Sequence, residues 1–65
     1  MLSYEDALSY WNDYLSICEE IDRETPQNDW ASYWNETEKA KQTFELLTGW
    51  NLYDFAKDHE VRNDH

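Results

Sequence analysis

The chain has 65 residues, which allows a single domain, 1–65, with a small hydrophobic core. It carries 15 Asp and Glu against 5 Lys and Arg, a formal net charge of −10, so its surface repels nucleic acid and anionic membranes and attracts basic proteins. No signal-peptide pattern and no run of 18 apolar residues is present, and Cys18 is the only cysteine, which together predict a cytoplasmic protein without a disulfide.

The first predicted helix begins after Ser3, a typical N-cap residue, and Glu5 and Asp6 suit the positive end of a helix. Apolar residues then recur every three or four positions, which is the spacing of an amphipathic helix. Thr25-Pro26 is expected to end this helix, because the residue before a proline disfavours helical backbone. The apolar positions form a stripe of Tyr4, Ala7, Leu8, Trp11, Tyr14, Leu15, Cys18 and Ile21.

The second predicted helix is capped by either Thr25 or Asn28 and ends at Gly49, the only glycine of the chain. Asn51 is expected to cap a third, shorter helix. The sequence therefore predicts an all-α, small three-helix domain, with two longer antiparallel helices, a short C-terminal helix and a frayed tail near 62–65. The predicted core-facing residues are Tyr33, Thr37, Phe44 and Leu47 in the second helix and Leu52, Phe55, Ala56 and His59 in the third.

Two nearly identical segments, SYWND at residues 9–13 and SYWNE at residues 32–36, raise the question of an internal repeat. On a helical wheel Trp11 lies within the apolar arc, whereas Trp34 lies beside charged residues. The flanking residues also differ, so the similarity is interpreted as a coincidence of helical composition. Partly exposed aromatic side chains either complete a small core from its edge or anchor a protein interface. Four are expected in this class: Tyr10, Trp34, Trp50 and Tyr53.

Residue combinations typical of catalytic or metal sites are missing from the sequence. Cys18 lies within the apolar stripe, where a buried thiol is expected rather than an activated nucleophile. His59 and His65 are six positions apart, without the helical spacing of a zinc site, and His59 is expected at the edge of the core. A chain with one glycine offers no glycine-rich phosphate loop. The protein is therefore expected to be no enzyme and to hold no metal or cofactor.

The strongest functional signal is an acidic face opposite the apolar stripe of the first helix, offset only by Arg23. A charge of −10 over a body about 30 Å long gives one charge per ~3 Å, close to the ~3.4 Å per phosphate along one DNA strand. In charge and size, though in no motif, the chain resembles small acidic DNA-mimic inhibitors that phages and plasmids carry against restriction, CRISPR and repair enzymes. The resemblance implies a basic, nucleic-acid-binding enzyme as partner, while the sign of the charge predicts no direct nucleic acid binding and no membrane. The candidate residues are Glu5, Asp6, Asp13, Glu20 and Glu24 on the acidic face and Tyr10 and Trp34 at its aromatic edge.

An alternative function follows from the apolar stripe of the first helix. Its three-four spacing extends over nearly three heptads, a pattern that also pairs helices of separate chains. The protein is then a helical assembly or adaptor module, such as an antitoxin or a subunit stabiliser, whose charge confers solubility. Because a core of 65 residues is thin, a homodimer through leftover aromatic surface is a further hypothesis. The residues of the proposed seam are Tyr4, Ala7, Trp11, Tyr14, Cys18 and Ile21.

Overall fold

The computed structural model describes residues 1–63 and contains three α-helices. Helix α1 spans Tyr4–Glu24, α2 spans Trp30–Thr48 and α3 spans Leu52–Asn63, and residues 1–63 contain no strand. The predicted all-α fold, with two longer helices and a short C-terminal one, is confirmed. Helices α1 and α2 are antiparallel, because the Leu2 N–H at the start of α1 donates to the carbonyl oxygen of Thr48 at the end of α2, over 2.8 Å.

Three of the predicted helix caps are confirmed. The Ser3 hydroxyl oxygen accepts a hydrogen bond from the Asp6 N–H over 3.2 Å at the start of α1. Gly49 ends α2 with a φ of 78°, which is left-handed backbone that favours glycine. The Asn51 side-chain oxygen accepts hydrogen bonds from the N–H groups of Tyr53 and Asp54 at the start of α3.

The start of α2 differs from the prediction. Its N-cap is Asp29, whose carboxylate accepts a hydrogen bond from the Ser32 N–H over 3.4 Å, and neither Thr25 nor Asn28 has this role. Thr25 instead ends α1 with extended backbone. The prediction failed because a turn follows, in which the Asp29 N–H donates to the carbonyl oxygen of Pro26 over 3.0 Å, and α2 begins only after it.

The end of α3 includes part of the tail that was expected to fray. The Arg62 Nε donates to a carboxylate oxygen of Asp58 over 2.9 Å, and the Asn63 amide donates to the carbonyl oxygen of His59 over 2.8 Å. Residues 62 and 63 are thus helical, and residues 64–65 of the predicted tail lie outside the described residues.

The core is a cluster of aromatic and aliphatic side chains from all three helices. Ala7 and Trp11 from α1, Phe44 from α2, and Leu52 and Phe55 from α3 are buried. Phe55 is 0% exposed and lies at the centre of the cluster. Four rings have centroids 5.2 to 5.3 Å from that of Phe55, a spacing typical of favourable aromatic contacts; they belong to Tyr4, Trp11, Phe44 and Trp50.

Thr48, and not the predicted Leu47, completes the buried face of α2. Thr48 is 1% exposed, and its hydroxyl donates to the carbonyl oxygen of Phe44 over 2.7 Å, so its polar group is satisfied. Leu47 is 54% exposed. The reason is the position of α3, whose Leu52 N–H donates to the Glu45 carboxylate over 2.9 Å and draws α3 to the other side of α2.

The N-terminal residues bind the connection between α2 and α3. The Trp50 indole N–H donates to the carbonyl oxygen of Leu2 over 2.7 Å. Met1 lies so close to Gly49 that a Cβ added to the glycine would lie 2.9 Å from the Met1 Cα. Gly49 is therefore required both for its backbone angle and for this close approach.

The molecule is flat, with dimensions of 36 × 28 × 16 Å. Its radius of gyration of 12.8 Å exceeds the about 10.7 Å expected for a compact domain of this length. Its accessible surface of 5015 Å² likewise exceeds the about 4400 Å² expected for a mass of 7.9 kDa. A thin layer of helices leaves several aromatic side chains exposed.

The packing of the two repeated segments predicts unequal effects of mutation. Trp11→Ala is expected to lower the free energy of unfolding by roughly 3–5 kcal/mol, because Trp11 is buried against Phe44 and Phe55. Trp34 is 59% exposed, so Trp34→Ala is expected to change the free energy of unfolding by about 0.5 kcal/mol or less. Urea unfolding followed by far-UV circular dichroism measures both values.

Trp11→Phe separates ring packing from hydrogen bonding. The Trp11 indole N–H has no hydrogen-bond partner within residues 1–63, so replacing it costs no hydrogen bond there. The phenylalanine variant is therefore expected to lose much less stability than Trp11→Ala. If Trp34→Ala unfolds the protein while Trp11→Ala does not, the core assignment is reversed.

Candidate functional site

The negative charge of the protein is concentrated on α1. This helix carries seven acidic residues and one basic residue, Arg23, so it holds six of the ten net negative charges. Helices α2 and α3 each carry three acidic and two basic residues. Over the length of α1 the density is about one net charge per 5 Å. The value of one per ~3 Å derived from the whole chain therefore overstates the density on this face.

Ion pairs show the same division between the helices. Within residues 1–63, no carboxylate of α1 lies within 4.0 Å of a lysine or arginine nitrogen, although all seven side chains are exposed. The charge of these carboxylates is thus not neutralised by ion pairing, although Arg62 of α3, which pairs with Asp58, also interacts with the charge of Glu5 at longer range. Helices α2 and α3 hold three ion pairs: Glu36–Lys39 at 3.6 Å, Glu38–Lys41 at 3.4 Å and Asp58–Arg62 at 2.9 Å.

Four of the five predicted acidic residues form one row on the outer side of α1. Asp6, Asp13, Glu20 and Glu24 are separated by seven, seven and four positions, which places them within about 40° of one line along the helix. We term these four residues the acidic row. It is about 27 Å long and lies opposite the apolar stripe. The fifth residue, Glu5, lies about 80° away from the row.

A groove between α1 and α2, termed groove 1, adjoins the acidic row. Its volume is about 180 Å³, and Asp13 belongs to both the row and the groove. Tyr10 lines the same groove and is 36% exposed. The other lining side chains are mostly apolar and include Ile17 and Leu47, both of which are partly exposed. Tyr10 thus lies beside the acidic row, which is the position expected for an aromatic residue at the edge of the acidic face.

A second groove, termed groove 2, is lined by residues from all three helices and has a volume of about 240 Å³. Trp34 lies in this groove. On α2, Lys41 of groove 2 and Thr43 of groove 1 are two positions apart, so the two grooves lie on nearly opposite sides of the helix. Trp34 is therefore remote from Tyr10 and the acidic row. The residues of groove 2 are Tyr14, Cys18, Tyr33, Trp34, Thr37, Glu38, Lys41, Leu52 and Tyr53.

Lys41 and its aromatic neighbours in groove 2 were not predicted as a site. The sequence shows Trp34 near Glu38 and Lys41 on one helix, which is a usable signal for three of the residues. Tyr53 joins them only through the packing of α3, and no local pattern in the sequence indicates that contact.

The apolar stripe of α1 is largely covered by the chain itself. Ala7 and Trp11 are buried, and the Tyr4 ring stacks on Phe55 at 5.2 Å. A partner helix pairing along the whole stripe, as the adaptor hypothesis requires, would have to displace α2 and α3. Without that change, Leu15, which is 44% exposed, and the half-buried end near Cys18 and Ile21 are accessible.

His59 lies at the edge of the core, as predicted. Its Nδ1 lies 2.7 Å from the Tyr4 hydroxyl oxygen, and its ring lies 5.8 Å from that of Trp11. His65 lies outside the described residues. Within residues 1–63, no three His, Cys, Asp or Glu side chains are placed to hold a metal ion, and no helix is long and apolar enough to cross a membrane. The features of residues 1–63 that can bind a partner are therefore negative charge and exposed aromatic side chains.

Tyr14 lines both grooves and is electrostatically perturbed. Burial, then the hydrogen bond and charge interaction with Cys18, and then Tyr53 and Tyr33, raise the pKa of Tyr14 well above its ordinary value of 10.0. Each of these effects disfavours the phenolate form. The Tyr14 hydroxyl therefore stays neutral at physiological pH.

The raised pKa of Tyr14 predicts a loss of stability in alkali. Its contribution is fully present below the unfolded-state pKa of about 10 and is lost as the pH rises through the folded-state pKa. The free energy of unfolding is expected to fall more steeply in the wild type than in Tyr14→Phe, which has no hydroxyl to ionise. Urea unfolding between about pH 8 and about pH 11 measures this, with Tyr53→Phe as the control for losing an exposed hydroxyl. Identical profiles for wild type and Tyr14→Phe would contradict the prediction.

The chain matches no protein-family model, no curated protein and no solved structure. Its function is therefore argued from its own charges, grooves and exposed side chains.

Proposed function

We propose that the protein inhibits a nucleic-acid-handling enzyme by occupying its basic groove, with the outer face of α1 in the place of a phosphate backbone. The observation that supports this most is the concentration of six net negative charges on α1 without an ion pair in residues 1–63. Enzymes that bind nucleic acid contact its phosphates through lysine and arginine. Unpaired carboxylates offer those same side chains a replacement ligand.

The acidic charge on α1 is costly for the isolated protein. Glu20 and Glu24 are four positions apart, where like charges destabilise a helix by about 0.2–0.5 kcal/mol. Acidic residues near a helix C-terminus are also unfavourable, by about 0.3–1 kcal/mol each, and only Arg23 opposes them in the last turn of α1. A helix face that only contacts water does not need this excess of negative charge. On α2, for example, Glu36 and Glu38 are each paired with a lysine. A cationic partner would relieve both costs.

The match to a nucleic acid concerns length and sign rather than individual phosphates. The acidic row of about 27 Å corresponds to about eight phosphates along one DNA strand, yet it holds four carboxylates. Its role in the proposed complex is to provide a field that steers a basic groove and then pairs with its cations. Tyr10 is the aromatic anchor beside the row, because it lies in groove 1 next to Asp13.

The proposed target class comprises restriction enzymes, CRISPR effectors, glycosylases and polymerases, which all bind nucleic acid through basic grooves. The protein would then act in the cytoplasm of the cell that contains the target. A homodimer is not required, since the acidic row is complete within one chain.

Charge reversal within the acidic row tests the proposal. Asp13→Lys with Glu20→Lys is expected to weaken binding to a purified partner at least about tenfold, mainly through a slower on-rate. The matched control is Glu36→Lys with Glu60→Lys, which changes the net charge equally on α2 and α3. Surface plasmon resonance at several salt concentrations measures both variants, and circular dichroism checks their folding.

The partner is first captured at low salt and then tested for competition between this protein and a labelled DNA or RNA duplex. Competition is expected, with an affinity that falls steeply as salt increases. The proposal is wrong if the partner binds the row variant as tightly as the wild type, or binds nucleic acid and this protein simultaneously.

A further inference from the structure

Groove 2 already contains a cation that belongs to the protein itself. The Lys41 Nζ lies 5.3 Å from the centroid of the Tyr53 ring, a distance typical of cation–π contacts. The same nitrogen lies 3.4 Å from a carboxylate oxygen of Glu38. The Lys41 side chain is only 22% exposed, so its stem lies along the wall of the groove.

The surroundings of Lys41 favour positive charge. Its partial burial on its own lowers the pKa of Lys41, but the charge and hydrogen bond of Glu38, with Glu45 and Tyr53, raise it above its ordinary value of 10.5. The carboxylates of Glu38 and Glu45 and the Tyr53 phenol thus stabilise a cation at Lys41 by more than burial disfavours it. This environment also suits a cation supplied by another molecule.

Room for a second cationic group remains beside Lys41. The groove has a volume of about 240 Å³ with Lys41 in place. Trp34 is 59% exposed and Tyr33 is 38% exposed, so both rings present area that the protein does not cover. Tryptophan is the side chain that attracts cations most strongly through its ring face.

We propose that groove 2 binds an arginine side chain of a partner protein and that Lys41 competes with that side chain for Glu38. The guanidinium lies on the Trp34 ring and donates to the Glu38 carboxylate. Arginine fits better than lysine because its planar, weakly hydrated head stacks on aromatic rings and forms directed hydrogen bonds. A second copy of this chain is disfavoured as occupant, since each copy carries a net charge of −10.

Arginine binding in groove 2 is independent of the proposed inhibition through α1. None of the residues of groove 2 belongs to the acidic row, and the two surfaces lie on different sides of the molecule. The acidic row can therefore fail its test while groove 2 binds arginine, and the reverse outcome is equally distinguishable.

The test is a titration of ¹⁵N-labelled protein with N-acetyl-argininamide at constant ionic strength. The neutral isostere N-acetyl-citrullinamide is the matched control. Two-dimensional NMR resolves the four tryptophan indole N–H signals, and Trp34→Phe identifies the signal of Trp34. Arginine is expected to shift the Trp34 signal saturably, whereas citrulline is not.

Two lysine variants separate the groove from general charge effects. Lys41→Gln removes the competitor and is expected to tighten arginine binding about two- to fivefold. Lys39→Gln removes the same charge from α2, but Lys39 is 73% exposed, is paired with Glu36 and does not line groove 2. It is expected to leave the affinity within about 1.5-fold of the wild type. Glu38→Gln is expected to weaken binding, because it removes the carboxylate that the guanidinium needs.

Three results would overturn the inference. One is an equal effect of citrulline and arginine on the Trp34 signal, which would indicate stacking without a charge requirement. Another is an equal gain in affinity for Lys39→Gln and Lys41→Gln. The third is an unsaturable change spread over the backbone N–H signals of α1, which would indicate counterions and no site in groove 2.

Discussion

The three helices are held together by the burial of one ring. Among residues 1–63, Phe55 is the only fully buried aromatic residue, and its contacts reach α1 through Tyr4 and Trp11, α2 through Phe44, and the connecting segment through Trp50. A chain of this length cannot surround several such centres, because too few residues are available. The thin body, the uncovered aromatic rings and the two grooves are all consequences of building three helices around one ring.

Local features of the fold could be predicted from the sequence because short-range chemistry determines them. Ser3, Gly49 and Asn51 cap helices through contacts within a few residues, and each was identified correctly. The start of α2 was not identified correctly. A turn between Pro26 and Asp29 precedes the helix, so Asp29 is the N-cap in place of Thr25 or Asn28. The wrong choice of Leu47 has a longer-range cause, since only the docking of α3 determines which side of α2 is covered.

The candidate sites also differ in whether local sequence or the packing of separate helices determines them. The acidic row was visible in the sequence because all its members lie on one helix, whose geometry follows from residue spacing alone. Groove 2 was not visible, since Tyr53 of α3 meets Lys41 of α2 only in the folded chain. The predicted pairing of Tyr10 with Trp34 assumed that both lie at the same edge, whereas the structure places them in different grooves. Wheel positions on separate helices carry no information about how those helices are rotated against each other.

The unequal division of charge among the helices gives the molecule a permanent electric dipole whose negative end is at α1, in addition to its net charge. In the field of a positively charged surface, such a body experiences a torque as well as an attraction, so it rotates before it touches. It should approach with α1 foremost and groove 2 turned away. On an anion-exchange matrix, the same torque would orient adsorbed molecules alike and leave the rings of Trp34 and Tyr53 facing the solvent.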